Sequence, residues 1–156
     1  MIKLLRDGMR IINVDETELT NSDFRVKKWR LPGTTNSLPN PRIRPRICLI
    51  AGVSNHGELY LSLLQINTNT KVVKMYLTAL ALRLDKERAG WRRDTVIQFD
   101  GAPYHKSKEV REHAKDLGMS LVYSAPQSYD AAPAELFFSR IKVRNLNPSG
   151  EPTGKR

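Results

Sequence analysis

The amino-acid sequence predicts an α/β fold: a mixed five-stranded sheet flanked by helices. Three observations predict it. Period-two apolar runs dominate the first half of the chain, and segments of helical period alternate with short apolar runs in the second half. In addition, two strand candidates, "INVD" (Ile12 to Asp15) and "IQFD" (Ile97 to Asp100), repeat one order of apolar residue, amide, apolar residue and aspartate.

The first strand is "GMRIINVDET" (Gly8 to Thr17), with Ile12 and Val14 on one face and Asn13 and Asp15 on the other. From Asn21 to Arg46 the pattern dissolves into a basic, proline-bearing stretch, read as a long loop of the kind that is usually functional or mobile. "ICLIAGVSNHGELYLSLLQI" is two apolar runs about a turn at "SNHG", hence a hairpin. A helix follows, with Thr70 as N-cap and Val73, Leu77, Leu80 and Leu84 at helical spacing. "TVIQFD" is the fourth strand. In "SKEVREHAKDLG", Ser107 caps a short helix, Val110, Ala114 and Leu117 form its stripe, and Gly118 ends it. "MSLVYSA" is the fifth strand. "DAAPAELFFSRIKVR" is the last helix, with Ala134, Phe137, Phe138 and Ile141 on its buried side and Glu135, Ser139 and Lys142 on the other. This order of elements is ribonuclease H-like.

At 156 residues, with 40% hydrophobic and 27% charged residues, the chain fits one globular domain over residues 1–144, with a turn-rich tail over 145–156 expected to be disordered. Twenty-six Lys and Arg against sixteen Asp and Glu leave a net charge of +10, which points first to a nucleic-acid partner. No segment approaches the roughly 18 apolar residues of a membrane span. The N-terminal apolar stretch is too short for a secretory signal, so an intracellular, non-secreted protein is expected. Cys48 is the single cysteine, which excludes an internal disulfide and zinc sites built on several thiolates.

If the "INVD" and "IQFD" strands lie parallel and adjacent, Asp15 and Asp100 project side by side from one edge of the sheet. Two carboxylates brought together repel, and a divalent cation between them relieves the cost. Glu135 lies near the start of the last helix, and the 34 residues between it and Asp100 suffice for a helix, a strand and a return to the same rim. An oxygen-only donor set suits Mg²⁺ or Mn²⁺, and two such ions can drive in-line displacement at a phosphodiester without a covalent intermediate or a histidine base. The alternative is three solvated rim charges. Glu16 should point to the face opposite Asp15, and Asp130 fits a helix cap better than a third ligand.

"VDET", "QFDGAPYH" and "APQSYDAAPAELFFSRIK" together resemble the three catalytic blocks of the mariner superfamily of DDE transposases, in order, over about Gly8 to Arg144. The resemblance implies Asp15, Asp100 and Glu135 as catalytic metal ligands, two Mg²⁺ or Mn²⁺ ions per active site, and no small-molecule cofactor. It implies DNA, both transposon ends and target, as partner. It also admits a homodimer, and a location in the nucleus of a eukaryotic host or otherwise the cytoplasm. Gly101 stands where the family usually has Asn, and Ala132 replaces the Asn before Pro133, which removes two amides that could support the ligands. The family's helix-turn-helix region has no counterpart ahead of the first catalytic strand, so the expectation is an isolated catalytic domain. Two other readings stay open: an inactive transposase-derived DNA-binding or assembly protein, and a ribonuclease H-like nuclease.

Lys27, Lys28, Arg30, Arg42, Arg44 and Arg46 crowd the long loop, where no acid occurs between Phe24 and Gly57. These cations are read as phosphate contacts, and Trp29 as a surface that stacks on a base or a partner; a merely solvated basic loop is the alternative. By family position His105 is a DNA or metal-shell contact, or else a turn residue satisfied by backbone. Lys142 joins the DNA-contact candidates. His113 falls on an apolar stripe and reads as core.

Overall fold

A computed structural model of the chain describes residues 2–19, 47–124 and 132–143. A short helix α1 (Ile2–Arg6) leads into strand β1 (Arg10–Leu19). The hairpin strands β2 (Ile47–Ser54) and β3 (Leu59–Leu64) follow, then helix α2 (Thr70–Glu87), strand β4 (Thr95–Phe99), helix α3 (Lys108–Asp116), strand β5 (Ser120–Tyr123) and helix α4 (Pro133–Val143). The sheet runs β3-β2-β1-β4-β5. β1, β2 and β3 form an antiparallel meander, whereas β4 and β5 lie parallel to β1. This is the mixed five-stranded sheet expected. Helix α2 crosses from β3 to β4, and α3 joins the parallel neighbours β4 and β5, as their geometry requires.

Strand alternation divides the core in two. Ile12, Val14, Cys48, Ile50, Ile97 and Phe99 face α2 and α3, meeting Val73, Leu77, Leu80, Leu84, Val110 and Ala114. Leu19, Leu49 and Ala51 face the other way and meet Ala134 and Phe138 of α4, with Phe137 and Ile141 packed at the margin. The stripes read from sequence in the three long helices are thus the buried ones. His113, read as core, is half-buried and ties α3 to α2 through Nε2, 2.8 Å from Thr78 Oγ1 and 3.1 Å from the Lys74 carbonyl. No described helix is long and apolar enough to cross a membrane.

Two local expectations need correction. β1 begins at Arg10 rather than Gly8, because Gly8 adopts a φ of +71° and closes α1, an element with no forecast. The amides of Gly8 and Met9 return to the carbonyls of Leu5 and Leu4 in a Schellman turn. The α2 cap is Asn69, whose side chain accepts the Val72 amide at 3.1 Å; Thr70 is the first helical residue. A 3-10 turn over Trp91–Arg93 was not foreseen either, and it buries Trp91 completely while its indole N–H donates to Asp85.

Gly52 is a point of close approach between β2 and the Tyr76 side chain of α2. A Cβ there would lie 2.6 Å from Tyr76 Oη and 3.0 Å from Ile12 Cγ2, and that hydroxyl is committed to the Tyr60 carbonyl. Gly52→Ala is therefore expected to destabilise the fold by about 1–3 kcal/mol, measured by urea unfolding. An unchanged midpoint would show that α2 can move away freely.

Candidate functional site

β1 and β4 are parallel neighbours with Asn13 paired to Gln98. Continuing that register by two residues sets Asp15 across from Asp100, which directly follows β4, so the two aspartates leave the sheet at the same rim. The amides two positions earlier anchor the flanking chain. Asn13 Oδ1 accepts the backbone N–H of Ala134 at 3.1 Å, and Gln98 Nε2 donates to Ser124 Oγ at 2.8 Å. Both amides are buried, so each of these bonds replaces one that water would otherwise make.

The Asn13 bond fixes the start of α4 beside β1, one residue before Glu135. Pro133 opens the helix, where its missing N–H costs nothing, and Glu135 sits in the first turn, where the helix dipole favours a carboxylate. Glu135 is exposed, as are Ser139 and Lys142 further along the same side. α4 thus buries its apolar face on β1 and β2 and presents its acid to solvent near the aspartates.

Electrostatic repulsion couples Asp15 to the other two acids. The Asp15 carboxyl is pushed up to about 6, first by burial; the Glu16 amide opposes this at 2.8 Å from Oδ1, and the charges of Glu16, Asp100 and Glu135 add to it. The charges of the described residues that chiefly act on Asp15 are all negative. An oxygen donor set with that potential fits a hard divalent ion. Among the described residues, however, no three His, Cys, Asp or Glu side chains are drawn close enough together to enclose one. Asp15 and Asp100 meet at one rim by continuation of the β1–β4 register, and both Asp100 and Glu135 are within electrostatic reach of Asp15.

Asp100 is held from behind. Its Oδ1 accepts the Ala102 amide at 3.0 Å and lies 2.5 Å from His105 Nδ1. The His105 ring is fully buried, stacked on Phe99 with centroids 4.5 Å apart and met edge-on by Tyr104. Its Nε2 lies 3.2 Å from Glu16 Oε2, a charge contact rather than a well-aligned hydrogen bond, and Glu16 Oε1 takes the Tyr104 hydroxyl. Burial alone would lower the pKa of His105. The carboxylate of Glu16, then that of Asp100, outweighs it and raises the value. Glu16 does point away from the Asp15 face, as alternation requires, and it finds its partner there. Sequence reading set Glu16 aside; the signal was present only as an acid on the inner face and a histidine five residues after Asp100.

His105 belongs to the turn after β4, and its burial leaves no ring surface for DNA to touch. Gly101 has room for a small side chain, since a Cβ there would meet only Lys106, 3.3 Å from Nζ. Lys27, Lys28, Trp29, Arg30, Arg42, Arg44, Arg46 and Asp130 lie outside the described residues, as do the whole long loop and the tail.

A family model described as "DDE superfamily endonuclease" matches residues 10–151. Among solved structures, the chain resembles the Mos1 transposase paired-end complex with left transposon end at 25% identity and a TM-score of 0.62, over 90% of this chain and 45% of that one. The Mos1 mariner paired end complex with Mn gives 25% identity and a TM-score of 0.61, over 89% and 45%. The catalytic domain of Mos1 mariner transposase gives 21% identity and a TM-score of 0.64, over 94% and 69%, which supports the ribonuclease H-like fold. The chain therefore spans about half the length of the longer transposase chains that it matches. No curated protein matches it. With the family model spanning residues 10–151, nearly its whole length, on a mixed five-stranded sheet, the chain belongs to the DDE superfamily endonuclease family.

Proposed function

We propose that this chain is the catalytic domain of a DNA transposase, which cuts strands at an element's ends and joins the freed 3′ hydroxyl to target DNA. The observation that carries the reading is the Asn13–Ala134 bond: it fixes the head of α4 beside β1, so that the charge of Glu135 reaches Asp15 across from Asp100. Asp15 and Asp100 would hold two Mg²⁺ or Mn²⁺ ions and Glu135 would complete one site. When bound, such ions supply the charge that activates an attacking oxygen and stabilises a leaving one. The chain's own part is to hold Asp100 by Oδ1, to keep Asp15 partly dry, and to bring DNA in through its excess of cations. Lys142 and the basic residues between 27 and 46 are the proposed phosphate contacts. The site of action is wherever the DNA lies, the nucleus in a eukaryotic host and the cytoplasm otherwise.

The likeness to a transposase bound to a transposon end supports DNA as substrate. The test offers a pre-cut DNA end with a free 3′ hydroxyl, plasmid target and Mn²⁺, in parallel with an RNA–DNA hybrid. Joined DNA products with an intact hybrid are expected; cleavage of the RNA strand alone would transfer the site to a ribonuclease. A second reading, a DNA-binding protein that has lost its chemistry, is favoured by the acids' failure to gather and by Gly101 and Ala132. Salt-dependent DNA binding without any cut product in Mg²⁺ or Mn²⁺ would select it.

A further inference from the structure

We propose that Glu16, held by Tyr104 and acting through the ring of His105, is a positioning residue that fixes the rotation of the Asp100 carboxylate. The inference rests on the reading of Asp100 as a metal ligand and adds a residue to it. Three groups form an unbroken line, Glu16 Oε2 to His105 Nε2 at 3.2 Å and His105 Nδ1 to Asp100 Oδ1 at 2.5 Å. Side-chain exposure along it is 11%, 1% and 48%, so the line leads from the core to the rim. Phe99 and Tyr104 pack the imidazole from two directions and restrain its plane. The Tyr123 hydroxyl, 3.2 Å from the His105 carbonyl, fixes the backbone of the same turn.

The arrangement accounts for both Asp100 oxygens. Oδ1 is consumed by His105 and the Ala102 amide, and Oδ2 takes no hydrogen bond from the described residues, which leaves it open to a cation. Adjacent residues of β1 therefore serve one site from opposite faces of the sheet: Asp15 as a proposed ligand, and Glu16 as the strut for the ligand on the next strand. Burying a histidine between two carboxylates is a poor way to gain stability, since apolar residues of equal volume usually do as well or better. Its return here is orientation. A partner bonded directly to a ligand, as His105 is to Asp100, typically alters metal affinity 10–100-fold when lost, and removing Glu16 acts by releasing that partner.

The test compares wild type with Glu16→Leu, Glu16→Gln and Tyr104→Phe, using Mn²⁺ alone as probe. In the metal-free protein, the ring N–H of His105 is followed by nitrogen-edited NMR and assigned by its loss in His105→Gln. A protected Nδ1 proton is expected in wild type and Glu16→Gln, and its loss to solvent exchange in Glu16→Leu. The glutamine keeps the line because its oxygen can face Nε2 while its amide meets the tyrosine. Calorimetric Mn²⁺ affinity should fall about 10–100-fold in Glu16→Leu, stay within about threefold in Glu16→Gln, and fall less in Tyr104→Phe, which also serves if the leucine variant does not fold. A Glu16→Leu protein that keeps the Nδ1 signal, or one that loses it with Mn²⁺ affinity intact, overturns the proposal. Asp100→Asn binding Mn²⁺ as well as wild type would instead overturn the metal-ligand reading, and the metal-free signal would still judge the line.

Discussion

Asp100→Asn should lower single-turnover DNA cleavage at least ~10³-fold, in Mn²⁺ and Mg²⁺ alike, a barrier increase of at least ~4 kcal/mol. The substitution preserves size and one oxygen, and that oxygen can still accept the Ala102 amide that shapes the turn after β4. What it removes is the charge and the second oxygen. Phe99, His105 and Tyr104 should stay packed, so circular dichroism should be unchanged and stability should move by no more than about 1 kcal/mol. Cleavage persisting within tenfold of wild type would remove Asp100 from the chemistry and leave the register of β1 and β4 as a structural coincidence.

Asp15→Asn should make the metal-free protein more stable at neutral pH while abolishing cleavage. In the folded state the Asp15 carboxyl titrates at about 6, above its ordinary value of 3.8, chiefly because burial penalises its charge. The sign follows. Between the two values the folded chain holds a proton that the unfolded chain has released, so stability is fully present below about pH 4 and is lost as pH rises through 6. Two pH units correspond to nearly 3 kcal/mol at most; partial solvent contact reduces this to about 2 kcal/mol. Asparagine stays neutral and escapes the loss. Urea unfolding at intervals from pH 4 to pH 7 should show the wild-type midpoint falling relative to that of Asp15→Asn by an amount matching about 2 kcal/mol. Mn²⁺ should restore the wild type and leave the variant unmoved. Parallel curves would mean that Asp15 is well solvated, and the carboxylate cluster would lose its physical basis. A residue that weakens the empty protein in order to meet a cation is a familiar exchange of stability for activity.

The two aspartates were legible because their strands share one period and one order of residue types, so parallel pairing alone brings them level. Glu135 was legible through Pro133 and the apolar stripe of α4, which together fix where the helix starts and which side faces out. The amide of Asn13 was visible as a neighbour of Asp15 on its face; its bond to Ala134 was not, because the partner is 121 residues away and only the folded sheet brings it near. Glu16 escaped for the same reason. Alternation says which face it takes, but nothing local says that a histidine from the β4 turn fills the space on that face. The end of α1 and the cap of α2 turn on single backbone angles, at Gly8 and Asn69, that side-chain periodicity does not encode.

If Asp15 and Asp100 share a divalent ion with Glu135 within reach, crystals grown in saturating Mn²⁺ should reveal it by anomalous scattering. A manganese peak is expected between the Asp15 and Asp100 carboxylates, bonded to Asp100 through Oδ2, with the Glu135 carboxylate turned toward it. Crystals in which that rim stays empty at saturating Mn²⁺, or in which manganese binds away from both aspartates, would contradict the shared site.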